Sequence, residues 1–187
     1  MPRSVIPWSL VVFRLLAGPA LIAVALLSGD TAAWISVVLL SLGVVSDIFD
    51  GIIARRLKVS TPKLRRYDSR ADVLFWASAT IAVHLMHPAL LPSTGPVIAT
   101  LIAMEGINHA FSFARFGREA SPHHYLSKAF GLALWGLFIQ LYLTGQGGWP
   151  LYAAFALGAM SQIEAFAITA RLREWRCDVP SVFRLER

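Results

Sequence analysis

The chain has 187 residues, of which 56% are hydrophobic and 15% charged, with a mean hydropathy of +0.60. That excludes an ordinary soluble domain of this length and points to a polytopic membrane protein. The net charge is +6, and its meaning depends on where the cations sit.

A helix crosses the hydrocarbon core with about 20 mostly apolar residues. Six such windows follow one another: Pro7 to Leu27, Ala33 to Ala54, Ser69 to His87, Gly95 to Phe116, His124 to Leu143 and Pro150 to Arg171. The breaks carry turn chemistry: Ser28-Gly29-Asp30, Pro88 to Pro96, Ser121-Pro122 and Gly145-Gln146-Gly147-Gly148. No internal repeat or low-complexity stretch interrupts them. The expectation is an all-α bundle of six transmembrane helices forming one domain over 1–187, with a short basic tail from 172 to 187.

The cations are clustered along the chain. Arg3 and Arg14 belong to the first span. Arg55, Arg56, Lys58, Lys63, Arg65, Arg66 and Arg70 crowd the connection between the second and third spans. Arg115, Arg118 and Lys128 flank the fourth-to-fifth connection, and Arg171, Arg173, Arg176, Arg184 and Arg187 form the tail. The positive-inside rule then places both termini and the two basic connections in the cytoplasm. The expectation is an integral protein of the inner (plasma) membrane. The positive balance is a topological signal with some attraction to anionic headgroups, and nucleic acid is not an expected partner. Arg3 before an apolar run has the outline of a signal peptide, but Arg14 interrupts the apolar core, so the first span is expected to be retained. Cys177 is the sole cysteine, which rules out an intrachain disulfide.

Against this background four acids stand out in SDIFDGIIARRLKVSTPKLRRYDSRAD. Asp47 and Asp50 are three apart, and Asp68 and Asp72 four apart, so each pair shares a helix face. The basic connection returns the chain to the same membrane side, so the pairs can meet. Asp47 lies eight residues before Arg55, about 12 Å deeper along a helix. At that depth an unpaired carboxylate costs several kcal/mol and should face a wet cavity or the bundle interior. Four converging carboxylates repel unless protons or cations relieve them. An all-oxygen set suits hard ions, Mg²⁺ or Mn²⁺. Plainer accounts exist for single residues: Asp68 as a helix N-cap, Asp72 paired with Arg65 or Arg66, and Asp47 paired with Arg14. Gly51 and Ala54 suggest close approach of a ligand or, equally, small-residue helix packing. Arg55 sits at the interface, where it either meets a phosphate or snorkels.

The order D-x-x-D-G-x-x-A-R, then D-x-x-x-D, resembles the signature of the CDP-alcohol phosphatidyltransferase family. Asp47, Asp50, Gly51, Ala54, Arg55, Asp68 and Asp72 stand at matching spacing. The family has a glycine four residues before the third aspartate, where this chain has Leu64. Pro7-Trp8-Ser9-Leu10-Val11-Val12-Phe13-Arg14 keeps the family's proline, leucine and arginine but replaces its asparagine and threonine. In phosphatidylglycerolphosphate synthases the fifth helix opens on a glycine-lysine-x-lysine-threonine run, of which Tyr125-Leu126-Ser127-Lys128-Ala129-Phe130-Gly131 retains one lysine.

The resemblance implies transfer of a phosphatidyl group from a CDP-linked lipid to an acceptor alcohol, with release of CMP. It implies two divalent ions held by Asp47, Asp50, Asp68 and Asp72, with Asp72 also the general base. Asp47, Gly51, Ala54 and Arg55 would form the cytidine-diphosphate side, and the chain would be a homodimer. Arg115, Arg118 and Lys128 are candidates for an acceptor phosphate, against a plain topological role. Glu105 and His109, four apart, are either functional or a buried hydrogen-bonded pair. His123 and His124 lie near the same connection, and Glu164 is expected deep in the sixth span. A transporter using the aspartates as an ion site is the competing class. It leaves Gly51, Ala54 and Arg55 at fixed spacing unexplained.

Overall fold

The computed structural model describes residues 5–27, 29–57, 59, 61–118, 124–176 and 179–185, without the side chains of Arg55, Pro62, Lys63, Arg65 and Arg66. Arg3, Lys58, His123, Cys177 and Arg187 lie outside the described residues. Six helices account for most of the chain: α1 Val5–Ala25, α2 Asp30–Arg56, α3 Pro62–Met86, α4 Leu91–Phe116, α5 Tyr125–Thr144 and α6 Gly148–Arg171. Short 3₁₀ turns occupy Pro88–Leu90 and Val182–Arg184, and no strand occurs among the described residues. The protein is all-α. Five helices are long and apolar enough to cross a membrane, and the large apolar side chains they leave exposed, Leu16, Trp34, Ile102, Tyr152 and Ile163 among them, are what a lipid-facing surface requires.

The exception is α3. It starts at Pro62, where a window beginning at Ser69 was expected. Thr61 is its N-cap, accepting from the Leu64 N–H at 3.1 Å, and proline takes the first helical position. The cap comes before the run of charges, so Lys63, Arg65 and Arg66 belong to the helix and not to a loop. Asp68 is therefore an interior helical residue, and its reading as an N-cap is overturned.

The chain divides into two compact units. The first comprises Met1–Ala89 and Phe138–Gln146, and the second Leu90–Leu137 and Gly147–Arg187. Within the first, α1 packs along both α2 and α3. Small residues make that approach possible. A Cβ on Gly18 would lie 3.0 Å from Ser78 Oγ and 3.4 Å from Phe75 Cα, so α1 lies almost on the α3 backbone. On α2, a Cβ at Gly43 would sit 2.3 Å from the Phe75 ring. The Phe75 ring, 1% exposed, is thus received by Gly43 of α2, while Gly18 of α1 lies against the Phe75 backbone. Ser36, Leu40, Leu21, Ala79 and Ala82 continue this buried seam. The end of α5 is tied to the same unit by Tyr142, whose hydroxyl donates to the Ala79 carbonyl at 3.0 Å.

In the second unit α4 packs on α6, with Gly158 admitting Leu101 and Phe130 and the Phe111 and Phe166 rings 4.6 Å apart. Gly117, at φ +65°, ends α4, a conformation that favours glycine. The basic tail is not loose among its described residues. Val179 joins Ile168 and Leu172 in a buried cluster, and the Tyr125 N–H donates to the Pro180 carbonyl at 3.0 Å.

Candidate active site

The close packing of α1 on α2 and α3 carries Arg14 into the middle of the four aspartates. Gly18 is one turn beyond Arg14 and Phe75 is three residues beyond Asp72, so the glycine–phenylalanine contact sets the distance at which the two charged faces meet. Arg14 is 1% exposed. Its Nη1 donates to Asp47 Oδ1 at 2.7 Å and to Asp72 Oδ1. Its Nη2 donates to Asp50 Oδ2 and forms an ion pair with Asp68 Oδ1 at 3.0 Å. The plain pairing of Asp47 with Arg14 is present, but as one arm of a five-residue cluster. Asp50 is the deepest acid at 4% exposed. The Asp47 side chain is 46% exposed, so the cluster opens on that side.

Charge and geometry both leave room for more cations. Four carboxylates and one guanidinium sum to −3 when all are ionised. One oxygen from each of Asp47, Asp50 and Asp68 lies within 4.8 Å of the others, the spread that a shared ion needs when metal–oxygen bonds run about 2.0–2.6 Å. Asp68 Oδ1 is buried and accepts no hydrogen bond from the described residues. A hard-ion donor set with an under-satisfied oxygen fits a divalent metal.

The other signature residues fall around this cluster. Gly51 follows Asp50 on α2 and is half-buried. Ala54 is buried against Val11, Leu64 and Ala71, with Trp8 and Val59 packed on the outside. Leu64, at the family's glycine position, therefore fills an apolar cluster. So does Val11, at the family's threonine position, and Trp8, at its asparagine, covers it. Arg55 lies on α2 next to Ala54, and its side chain is outside the described residues.

The candidate acceptor residues lie in the second unit, each engaged there. Arg115 donates to the Leu172 carbonyl at 2.9 Å, serving the end of α6. Arg118 stands over the Trp175 ring at 5.2 Å, and Lys128 over Tyr125 at 5.8 Å. Glu105 and His109 pair at 3.7 Å, but with side chains 54% and 43% exposed, so of the two alternatives the buried pair is present only as a half-exposed one. With Asn108, His124, Ser161 and Gln162 they line an open pocket of about 160 Å³. Asn108 Nδ2 donates to Gln162 Oε1 at 2.6 Å. His124 is a structural residue: its Nδ1 accepts from the Ser127 N–H at 2.9 Å and its Nε2 donates to the Ser161 carbonyl at 3.0 Å. Glu164 holds the tail, accepting from Ser181 Oγ at 2.8 Å and the Val182 N–H at 3.1 Å. Sequence reasoning gave Glu164 no partner and Arg14 only one. For Arg14 the available signal was a lone cation inside an apolar span.

Fold and site together define an integral membrane protein with an acidic, metal-fitting centre on its first three helices. The chain belongs to the CDP-alcohol phosphatidyltransferase family, which it matches over residues 4–167. Among curated proteins none matches it. The family's members are transferases of substituted phosphate groups that use a CDP-alcohol donor and an alcohol acceptor in phospholipid synthesis, typically with a divalent metal.

Proposed function

We propose that this protein transfers the phosphatidyl group of a CDP-linked lipid such as CDP-diacylglycerol to an acceptor alcohol and releases CMP. The gathering of Asp47, Asp50 and Asp68 oxygens within 4.8 Å, with Asp72 joined to them through Arg14, carries the reading. A nucleotide diphosphate is itself anionic, so an acidic cluster binds it only across cations. Divalent ions held by Asp47, Asp50 and Asp68 would bridge the diphosphate and neutralise charge on the leaving phosphate; Mg²⁺ and Mn²⁺ suit the oxygen set, and a second ion would offset the charge that the diphosphate adds to the cluster's −3. Asp72 takes the proton of the acceptor hydroxyl, and Arg14 orients it through Oδ1. Gly51 lets the diphosphate approach the α2 backbone, and Ala54 keeps α1 and α3 close. Arg55 meets a phosphate. Arg115, Arg118 and Lys128 are the acceptor-side candidates. The distribution of cations supports an inner-membrane protein with its site facing the cytoplasm, and family membership supports a homodimer.

The test is CMP release from CDP-diacylglycerol by the purified protein, with glycerol 3-phosphate, inositol phosphate, serine and phosphatidylglycerol as acceptors. Release with one of them, abolished by EDTA and restored by Mg²⁺ or Mn²⁺, is expected. No CMP with any acceptor, together with divalent-dependent ion flux in vesicles, would replace the enzyme with a transporter.

A further inference from the structure

Arg14 is the centre of the acidic cluster. Among the described residues its hydrogen bonds go to carboxylates alone, and its buried Nε has none. A guanidinium does not lose its proton in a protein, so this charge is permanent and in direct competition with any ion the same oxygens bind. Three of its four partners, Asp47, Asp50 and Asp68, are the set whose oxygens converge closely enough to share an ion. Asp72 stands outside that set, although it shares Nη1 with Asp47.

We propose that Arg14 is a built-in counter-cation that holds the four aspartates together until metal arrives, then cedes Asp47, Asp50 and Asp68 and keeps Asp72. The inference rests on the metal-binding reading of the site. Without a resident cation, four carboxylates on α2 and α3 would drive those helix faces apart by like-charge repulsion. With it, they are gathered before loading. The arrangement costs affinity, since a fixed positive charge must be displaced or endured by each ion. After the exchange Arg14 has one carboxylate left, which makes it a positioning residue for Asp72.

The experiment uses the full chain in detergent, stripped with EDTA. Mn²⁺ binding is followed by loss of the free-ion electron paramagnetic resonance signal, and thermal unfolding is recorded with EDTA and with Mn²⁺. Arg14→Gln is expected to bind Mn²⁺ about tenfold more tightly than the wild type, the least that removing a unit charge beside a divalent ion should give. Its unfolding temperature is expected to fall in EDTA and to recover with Mn²⁺. Arg14→Lys, which keeps the charge but not the fork, is expected between the two. Weaker Mn²⁺ binding by Arg14→Gln, or an equal loss of unfolding temperature with and without Mn²⁺, would make Arg14 a plain structural tie and overturn the proposal. Should Arg14→Gln fail to fold in EDTA, its folding when prepared in Mn²⁺ decides the matter: recovery supports the proposal, and failure in both conditions overturns it. A wild-type protein that binds no Mn²⁺ would instead sink the metal reading itself, and the proposal with it.

Discussion

Restoring the family's glycine at position 64 should damage this protein. Leu64 is 5% exposed and packs with Val11, Ala54 and Ala71 under Trp8 and Val59. Leu→Ala in a water-soluble core costs about 2–5 kcal/mol, part transfer and part cavity. Where lipid is the alternative environment the transfer part shrinks and packing remains, so the lower end, about 2–3 kcal/mol, applies. Glycine adds up to about 1 kcal/mol over alanine in a helix. The sum for Leu64→Gly is about 3–4 kcal/mol, roughly 10 °C in unfolding temperature for a chain of this size. Thermal unfolding in detergent, with Leu64→Ala as the intermediate, measures it. Stability within about 1 kcal/mol of wild type, with faster CMP release, would refute the reasoning, because Leu64 would then be filling nucleotide space and not an apolar cluster.

Asp72→Asn should lower turnover by about 10²–10⁴-fold, the usual share of a general base, with CDP-lipid binding largely kept; equal loss of both would make Asp72 chiefly a metal ligand. Gly43→Ala brings a methyl against the Phe75 ring at 2.3 Å and should cost about 1–3 kcal/mol in thermal unfolding. Phe75→Leu on that background should recover part of the loss, and no loss at all would mean that α2 and α3 are not interlocked there. Glu164→Gln weakens two charge-assisted hydrogen bonds to Ser181 and Val182, each worth about 1.5–3 kcal/mol. Backbone amides of 179–185 should then exchange faster by mass spectrometry, and unchanged exchange would show that Val179 packing and the Tyr125–Pro180 hydrogen bond hold the tail without Glu164.

What could be read from the amino acids follows the reach of each signal. Apolar windows and Gly–Pro breaks are local, so α1, α2, α4, α5 and α6 lie within a few residues of where hydropathy puts them. The start of α3 is just as local, but Thr61-Pro62 is followed by Lys63, Arg65, Arg66, Asp68 and Arg70, and an apolar window passes over a helix that begins so polar. The convergence of Asp47, Asp50, Asp68 and Asp72 was legible because spacings of three and four fix a face whatever the tertiary structure. The reach of Arg14 to all of them was not. It depends on how far α1 sinks onto α3, which Gly18, Ser78 and Phe75 decide across some sixty residues of chain. Glu164 shows the same limit, since its partners lie in a segment that hydropathy treats as a tail.

The early start of α3 has a consequence for where the chemistry takes place. Its 25 residues make a rod of about 37 Å, longer than the roughly 30 Å of a bilayer's hydrocarbon. On the six-span reading, with Met86 at the far face, the oily slab would be used up near Tyr67, which would set Asp68 about at its edge and Asp72 about one turn beneath. Under the proposed function, a water-soluble nucleotide and the acyl chains attached to it could then each stay in their own phase while the bond between them is broken at that boundary.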